Sequence, residues 1–197
     1  GDTNGVRDVF VHDRQTGSTT RVSVSSSGIQ GNDDSSSGGN TMISGDGRYV
    51  VFASNASNLV AGDTNGVRDV FIHDRQTGST TRVSVSSSGI QGNAGSHMPS
   101  ITSDGCYVVF DSDASNLVAG DTNGVGDVFV HDRQTGSTTR VSVSSSGIQG
   151  NSYSSFLAVP QIDGIGRYVA FQSDASNLVA GDTNGDRDVF VHDRQTG

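Results

Sequence analysis

The chain has 197 residues, 31% hydrophobic with 27 glycines, which suffices for a real core and argues against a disordered segment. It carries 21 Asp against 12 Arg, a net charge of -9, and no Lys, Glu or Trp. So acidic a surface argues against a nucleic-acid partner, which needs basic groups to neutralise phosphates, and the lack of Lys removes Schiff-base and Walker-type chemistry.

The 25 Val against 4 Leu favour strands over helices, so the expected fold class is all-β. No apolar run approaches the roughly 20 residues of a membrane-spanning helix, and no membrane insertion is expected. One cysteine, Cys106, allows no intrachain disulfide and reads as a buried filler of the run CYVVF.

In chain order, one segment recurs four times: Gly1–Gly17, Gly62–Gly78, Gly120–Gly136 and Gly181–Gly197. The text GDTNGVRDVFIHDRQTG varies among them only at Ile72, Gly126 and Asp186. The equivalent residues Asp2, Asp63, Asp121 and Asp182 lie 61, 58 and 61 residues apart. The chain therefore reads as one repeat domain, 1–197, with periods 2–62, 63–120 and 121–181 and a partial repeat 182–197.

Each period holds four strand candidates, here a to d. Around Asn40 they are Thr41–Ile43, Arg48–Ser54, Asp69–Asp74 and Thr81–Ser86, separated by turns such as Ser44-Gly45-Asp46-Gly47 and Arg75-Gln76-Thr77-Gly78. Gly78 suits the left-handed position of a short hairpin loop. YVVF and VFIH are apolar on both faces, as strands buried between sheets must be. TRVSVS alternates, with Val83 and Val85 on one face and Arg82, Ser84 and Ser86 on the expected solvent face. Two inner strands and a half-exposed outer one describe a propeller blade.

ISGDGRYVVFAS followed by RDVFIHDRQTG resembles the TolB-like, WD40-like (PD40) bacterial β-propeller repeat. Blades of that family run S-P-D-G-x-x-[IVL]-[AV]-F-x-S and then D-[IV]-[FY]-V-x-D-x-x-T-G. The likeness recurs in every period. Ile101–Ser112 keeps the Asp-Gly turn, whereas Ile162–Ser173 has Ile165 in place of the Asp and is expected to have a degraded turn. The resemblance implies a β-propeller of four-stranded antiparallel blades. The strands run c-d, a-b-c-d, a-b-c-d, a-b-c, about three blade equivalents, against the roughly 4–8 blades of a closed ring. Self-association is therefore expected, as a homodimer completing a ring, or else the repeats belong to a longer parent array.

The loop D-x-N-G-x-x-D is the candidate site. Its copies are Asp2, Asn4, Asp8; Asp63, Asn65, Asp69; Asp121, Asn123, Asp127; and Asp182, Asn184, Asp188. Calcium takes six to eight oxygens, and side chains at positions 1, 3 and 7 with a carbonyl near Val67 could supply several. The other reading is that Asn-Gly makes a turn that Asp69 caps through backbone amides. The repeated His12, His73, His131 and His192 in strand c read as hydrogen-bonded core residues. Asp46 and Asp104 read as caps of the a–b turns.

In a meander the b–c loops and the d–a connections share one face. The text varies most in the d–a connections, Asp33–Asn40, Ala94–Met98 and Ser152–Pro160, with exposed-looking His97, Met98, Tyr153 and Phe156. Such variation fits a recognition face or drift in loops. No nucleophile elbow or His-Glu-x-x-His stands out. The expectation is a non-catalytic, calcium-stabilised binding or scaffold module, extracellular, at the cell surface or periplasmic, with a protein or glycan ligand. The alternatives are a carbohydrate or lactone hydrolase or lyase working from the channel, and a purely structural array.

Overall fold

In the computed structural model, which describes residues 2–36, 41–155 and 158–197, thirteen strands form four antiparallel sheets and the described residues include no helix. The first sheet pairs β1 (Phe10–His12) with β2 (Thr19–Arg21). The second runs β3 (Thr41–Ile43), β4 (Tyr49–Ser54), β5 (Asp69–Asp74), β6 (Ser79–Arg82). The third runs β7 (Ser96–Ile101), β8 (Tyr107–Ser112), β9 (Asp127–Asp132), β10 (Thr138–Arg140). The last has three strands, β11 (Gln161–Ile162), β12 (Tyr168–Ser173) and β13 (Asp188–Asp193). These are blades of a propeller, in the a-to-d order read from the sequence, and together they form an incomplete ring.

Strands b and c pair over six residues in every blade that has both, with Phe opposite Phe: Phe52 and Phe71, Phe110 and Phe129, Phe171 and Phe190. The ring centroids lie 6.2, 6.0 and 5.9 Å apart. The core lies between sheets. Val51, Ala53, Val70 and Ile72 pack on Val108, Phe110, Ala114 and Leu117 of the next blade. Val109, Val128 and Val130 meet Val169, Phe171, Ala175 and Leu178 in the same way, and Val9 and Val22 meet Val50, Phe52, Ala56 and Leu59. Burying each of these large side chains contributes about 1.5–3 kcal/mol, so each blade depends on its neighbour for its stability.

The a–b turns lock neighbouring blades. Gly105 has φ +73°, and a Cβ there would lie 2.2 Å from Cδ2 of Tyr49 in the preceding blade. The guanidinium carbons of Arg48 and Arg133 lie over the Tyr49 ring, 4.7 and 4.1 Å from its centroid. Gly166, Tyr107 and Arg194 repeat this arrangement one blade later.

Three expectations need correcting. The turn before β12 is intact despite Ile165, because Asp163 accepts from the amides of Arg167 at 2.6 Å and Tyr168 at 2.9 Å. Cys106 is half-buried rather than core, since it precedes β8 at the place Arg48 and Arg167 hold in the other blades, with Gln134 Nε2 3.1 Å from its sulfur. The outer strand is shorter and earlier than read, and its polar face does not meet solvent: Ser84 is fully buried.

Candidate functional site

The loop text was read for its oxygens, and the fold brings those oxygens together with donors. In the second blade, the Arg82 guanidinium donates to Asp63 Oδ1 at 3.1 Å and to Asp69 Oδ2 at 2.7 Å. The other oxygen of Asp69 accepts from Ser84 Oγ at 2.6 Å. Asn65 Nδ2 donates to Asp69 Oδ2 at 2.9 Å and to the Gly92 carbonyl at 3.0 Å, while Asn65 Oδ1 accepts from the Val67 amide at 3.3 Å. The Asp69 side chain is wholly buried and those of Asp63 and Arg82 nearly so.

The first and third copies agree. Arg21 lies 3.5 Å from Asp2 and 3.3 Å from Asp8, and Arg140 lies 3.3 Å from Asp121 and 3.2 Å from Asp127. Ser23 and Ser142 donate to Asp8 and Asp127, each at 2.5 Å. Asn4 and Asn123 donate to the same aspartates and to the carbonyls of Gly31 and Gly150. Burial pushes the carboxyls of Asp63 and Asp121 up, against the pull of the arginines. A charged pair held this way needs its remaining lone pairs bonded, and the Ser and Asn supply those bonds.

As arranged, these three sets do not fit calcium. The space between the carboxylates holds a guanidinium, and the amide turns N–H rather than oxygen toward the aspartate. The fourth set differs. Asn184 still donates to Asp188 at 3.1 and 3.2 Å, Asp182 is half-buried, and among the described residues β13 pairs with β12 alone. Among the described residues, no three His, Cys, Asp or Glu side chains gather as a metal-holding group.

The same bonds place the b–c loops and d–a connections on one face. Gln91 Nε2 reaches Thr64 Oγ1 at 2.7 Å, and Asn93 holds Ser115 and Asn116 through bonds of 3.0 Å. On this face Tyr153 is 42% exposed and His97 and Met98 are half-buried, while Phe156 lies outside the described residues. The repeated histidines act as expected where the blade is complete: His73 and His131 Nδ1 each lie 2.9 Å from Thr80 and Thr138 Oγ1. Asp46 and Asp104 cap their turns, accepting from the amides of Arg48 and Cys106 at 3.0 and 2.9 Å.

One pair breaks the repetition and was missed. His97 Nδ1 is 3.7 Å from Asp111 Oδ2, beside a bulge in β7 where Met98 has φ +46°. Burial raises the carboxyl of Asp111, and His97 opposes that shift. The available signal was a departure from repeat text, since Asp111 replaces Ala53 and Gln172 of the other blades.

No protein-family model matches the chain, and no curated protein matches it. Solved structures do. TolB from Acinetobacter baumannii aligns with a TM-score of 0.56 at 20% identity, over 96% of this chain and 36% of that one. A structure from a study of two prolyl endopeptidases aligns at 0.53 and 16% identity, over 95% and 24%. The tricorn protease aligns at 0.50 and 15%, over 84% and 13%. The chain thus spans about a third of the TolB structure it matches. At such identities the likeness shows the fold alone, a TolB-like β-propeller.

Proposed function

We propose that this chain is a non-catalytic binding or scaffold module built on part of a propeller, with the variable d–a connections as its recognition face. The observation that supports this is the way the repeated Asp, Asn, Arg and Ser of three copies satisfy one another. Groups consumed in holding a loop are unavailable for acid–base work, and a single active site would normally break the repeat symmetry. In this reading the internal guanidinium supplies the positive charge for which calcium was expected. The protein or glycan ligand would meet Tyr153 and its surroundings, outside the cytoplasm, and the ring would be completed by further strands.

Binding to glycan and peptide arrays tests this. A ligand whose affinity falls at least about tenfold on Tyr153→Ala supports the reading. Loss of no ligand, together with turnover of a carbohydrate ester or lactone that His97→Ala abolishes, would replace it with the enzyme reading, which the His97–Asp111 pair favours.

A further inference from the structure

In the last blade an acid just past strand b and an arginine just before strand c meet across the b–c loop. Arg187 Nε donates to Asp174 Oδ1 at 2.7 Å and Nη2 donates to Oδ2 at 2.9 Å, a two-point contact. The third blade keeps the acid as Asp113 and has Gly126 where the arginine stands. The second blade keeps the arginine as Arg68 and has Asn55 where the acid stands. The third blade therefore carries a carboxylate at a guanidinium-binding position whose guanidinium its own loop does not supply.

The place beside that carboxylate is bordered by an aromatic ring. A Cβ on Gly126 would lie 2.9 Å from Asp113 Oδ1 and 3.6 Å from Cδ1 of Tyr153. Asp113 is exposed and Tyr153 is 42% exposed. The spot belongs to the third blade and to the connection that leads into the last, and the second blade lies on its other side. Tyrosine faces already receive arginine elsewhere in this chain: Arg194 lies 4.3 Å from the Tyr107 centroid and Arg167 4.8 Å from that of Tyr168. Carboxylate and ring are thus the two surfaces that this fold itself uses to hold a guanidinium.

We propose that Asp113 and Tyr153 form a seat for an arginine side chain of a protein partner, the guanidinium fork taking the carboxylate oxygens and lying against the ring. The inference rests on the variable d–a connections being a recognition face, and it selects protein over glycan. Sugar hydroxyls could also donate to an aspartate, but the internal copy at Asp174 holds a planar cation, and a net charge of -9 draws cationic partners.

A second departure from the repeat reinforces the negative potential. Two residues before Asp113, Asp111 replaces the Ala53 and Gln172 of the other blades, and its Oδ1 is buried and accepts no hydrogen bond. Burial chiefly, and the Asp113 charge in addition, raise the Asp111 carboxyl, so a cation at the seat relieves a repulsion between the two acids.

The test titrates the full, isotope-labelled chain with the capped tripeptide Gly-Arg-Gly and follows the amide resonances of Asp113, Gly126 and Tyr153. The expected result is a saturable shift, half-complete at about 1–10 mM for a single charge-assisted contact. The same tripeptide with uncharged citrulline for arginine should bind at least about tenfold more weakly, and Asp113→Asn should lose a similar factor. Gly126→Arg restores the repeat text and should exclude the tripeptide without lowering the urea midpoint, because the last blade accommodates arginine at this position. Absence of binding overturns the inference, as does binding that is indifferent to citrulline, to Asp113→Asn or to Gly126→Arg. Glucose, galactose or mannose shifting the Tyr153 resonance where the tripeptide does not would overturn the inference and leave the recognition face standing. Failure of these sugars, of the tripeptide and of the glycan and peptide arrays at Tyr153 would remove both.

Discussion

The Arg82 guanidinium lies 2.7 Å from Asp69 and 3.1 Å from Asp63, and neither carboxylate has appreciable access to water. Removing the cation leaves a buried negative charge without compensation. Arg82→Ala should therefore destabilise the chain by about 3–5 kcal/mol, read as a lower urea midpoint. Arg82→Lys should recover only part of this loss, since a point charge cannot bond both aspartates as the planar fork does. A midpoint unchanged in Arg82→Ala would show that the pair does not hold the loop.

Calcium and chelator should have little effect on this protein. If guanidinium groups occupy the acidic loops, melting temperatures measured with millimolar calcium and with EDTA should coincide. A calcium-dependent rise would mean that the loops rearrange to expose oxygens, and Asp69→Asn should then abolish it.

Acid should weaken the blades through their histidines first. Burial, the largest effect, holds the imidazoles of His73 and His131 below the ordinary value of 6.5, against the pull of Asp74 and Asp132, with Arg75 and Arg133 adding to the lowering. The unfolded chain then takes up these protons more readily than the folded one. Their stabilisation is present above 6.5 and is lost as pH falls through the lower folded values. The melting temperature should fall between about pH 7 and pH 5, and the double variant His73→Asn, His131→Asn should flatten that slope. Asp74, whose carboxyl the Arg48 side chain holds far below its usual range, should contribute only in stronger acid.

Close approach makes Gly105 more demanding than the loop glycines. Gly105→Ala would combine a left-handed backbone with a clash against Tyr49 and should cost about 2–4 kcal/mol. Gly124 has φ +70° with open space around it, so Gly124→Ala should cost only about 1–2 kcal/mol. In urea titrations Tyr49→Ala should remove most of the difference between the two. An equal cost at both sites would rule out the blade-to-blade contact as its cause.

Cys106 marks a missing ion pair. Arg48 and Arg167 make two-point contacts with Asp74 and Asp193, the shorter bond 2.7 Å in each. Cys106→Arg would offer Asp132 the same partner and should stabilise by up to about 1 kcal/mol, a modest gain because the site is half-exposed. High salt should remove that gain, and a gain that survives about 1 M salt would have another cause.

The sequence by itself determined the blade. Strands of Val and Phe apolar on both faces, turns at regular spacing and a segment returning four times leave one architecture, because each sheet must find a neighbour on both sides. It also determined which loop carries charge. What the charge does was decided only in three dimensions. Asp69 meets Arg82 from 13 residues away, and Asn65 meets Gly92 from 27 residues away. In an alternating strand Arg82 and Ser84 read as a solvent face, yet the curl of the outer strand over the b–c loop buries both. Read alone, two acids and an amide describe a cation site. The folded chain supplies the cation from its own outer strand in three copies.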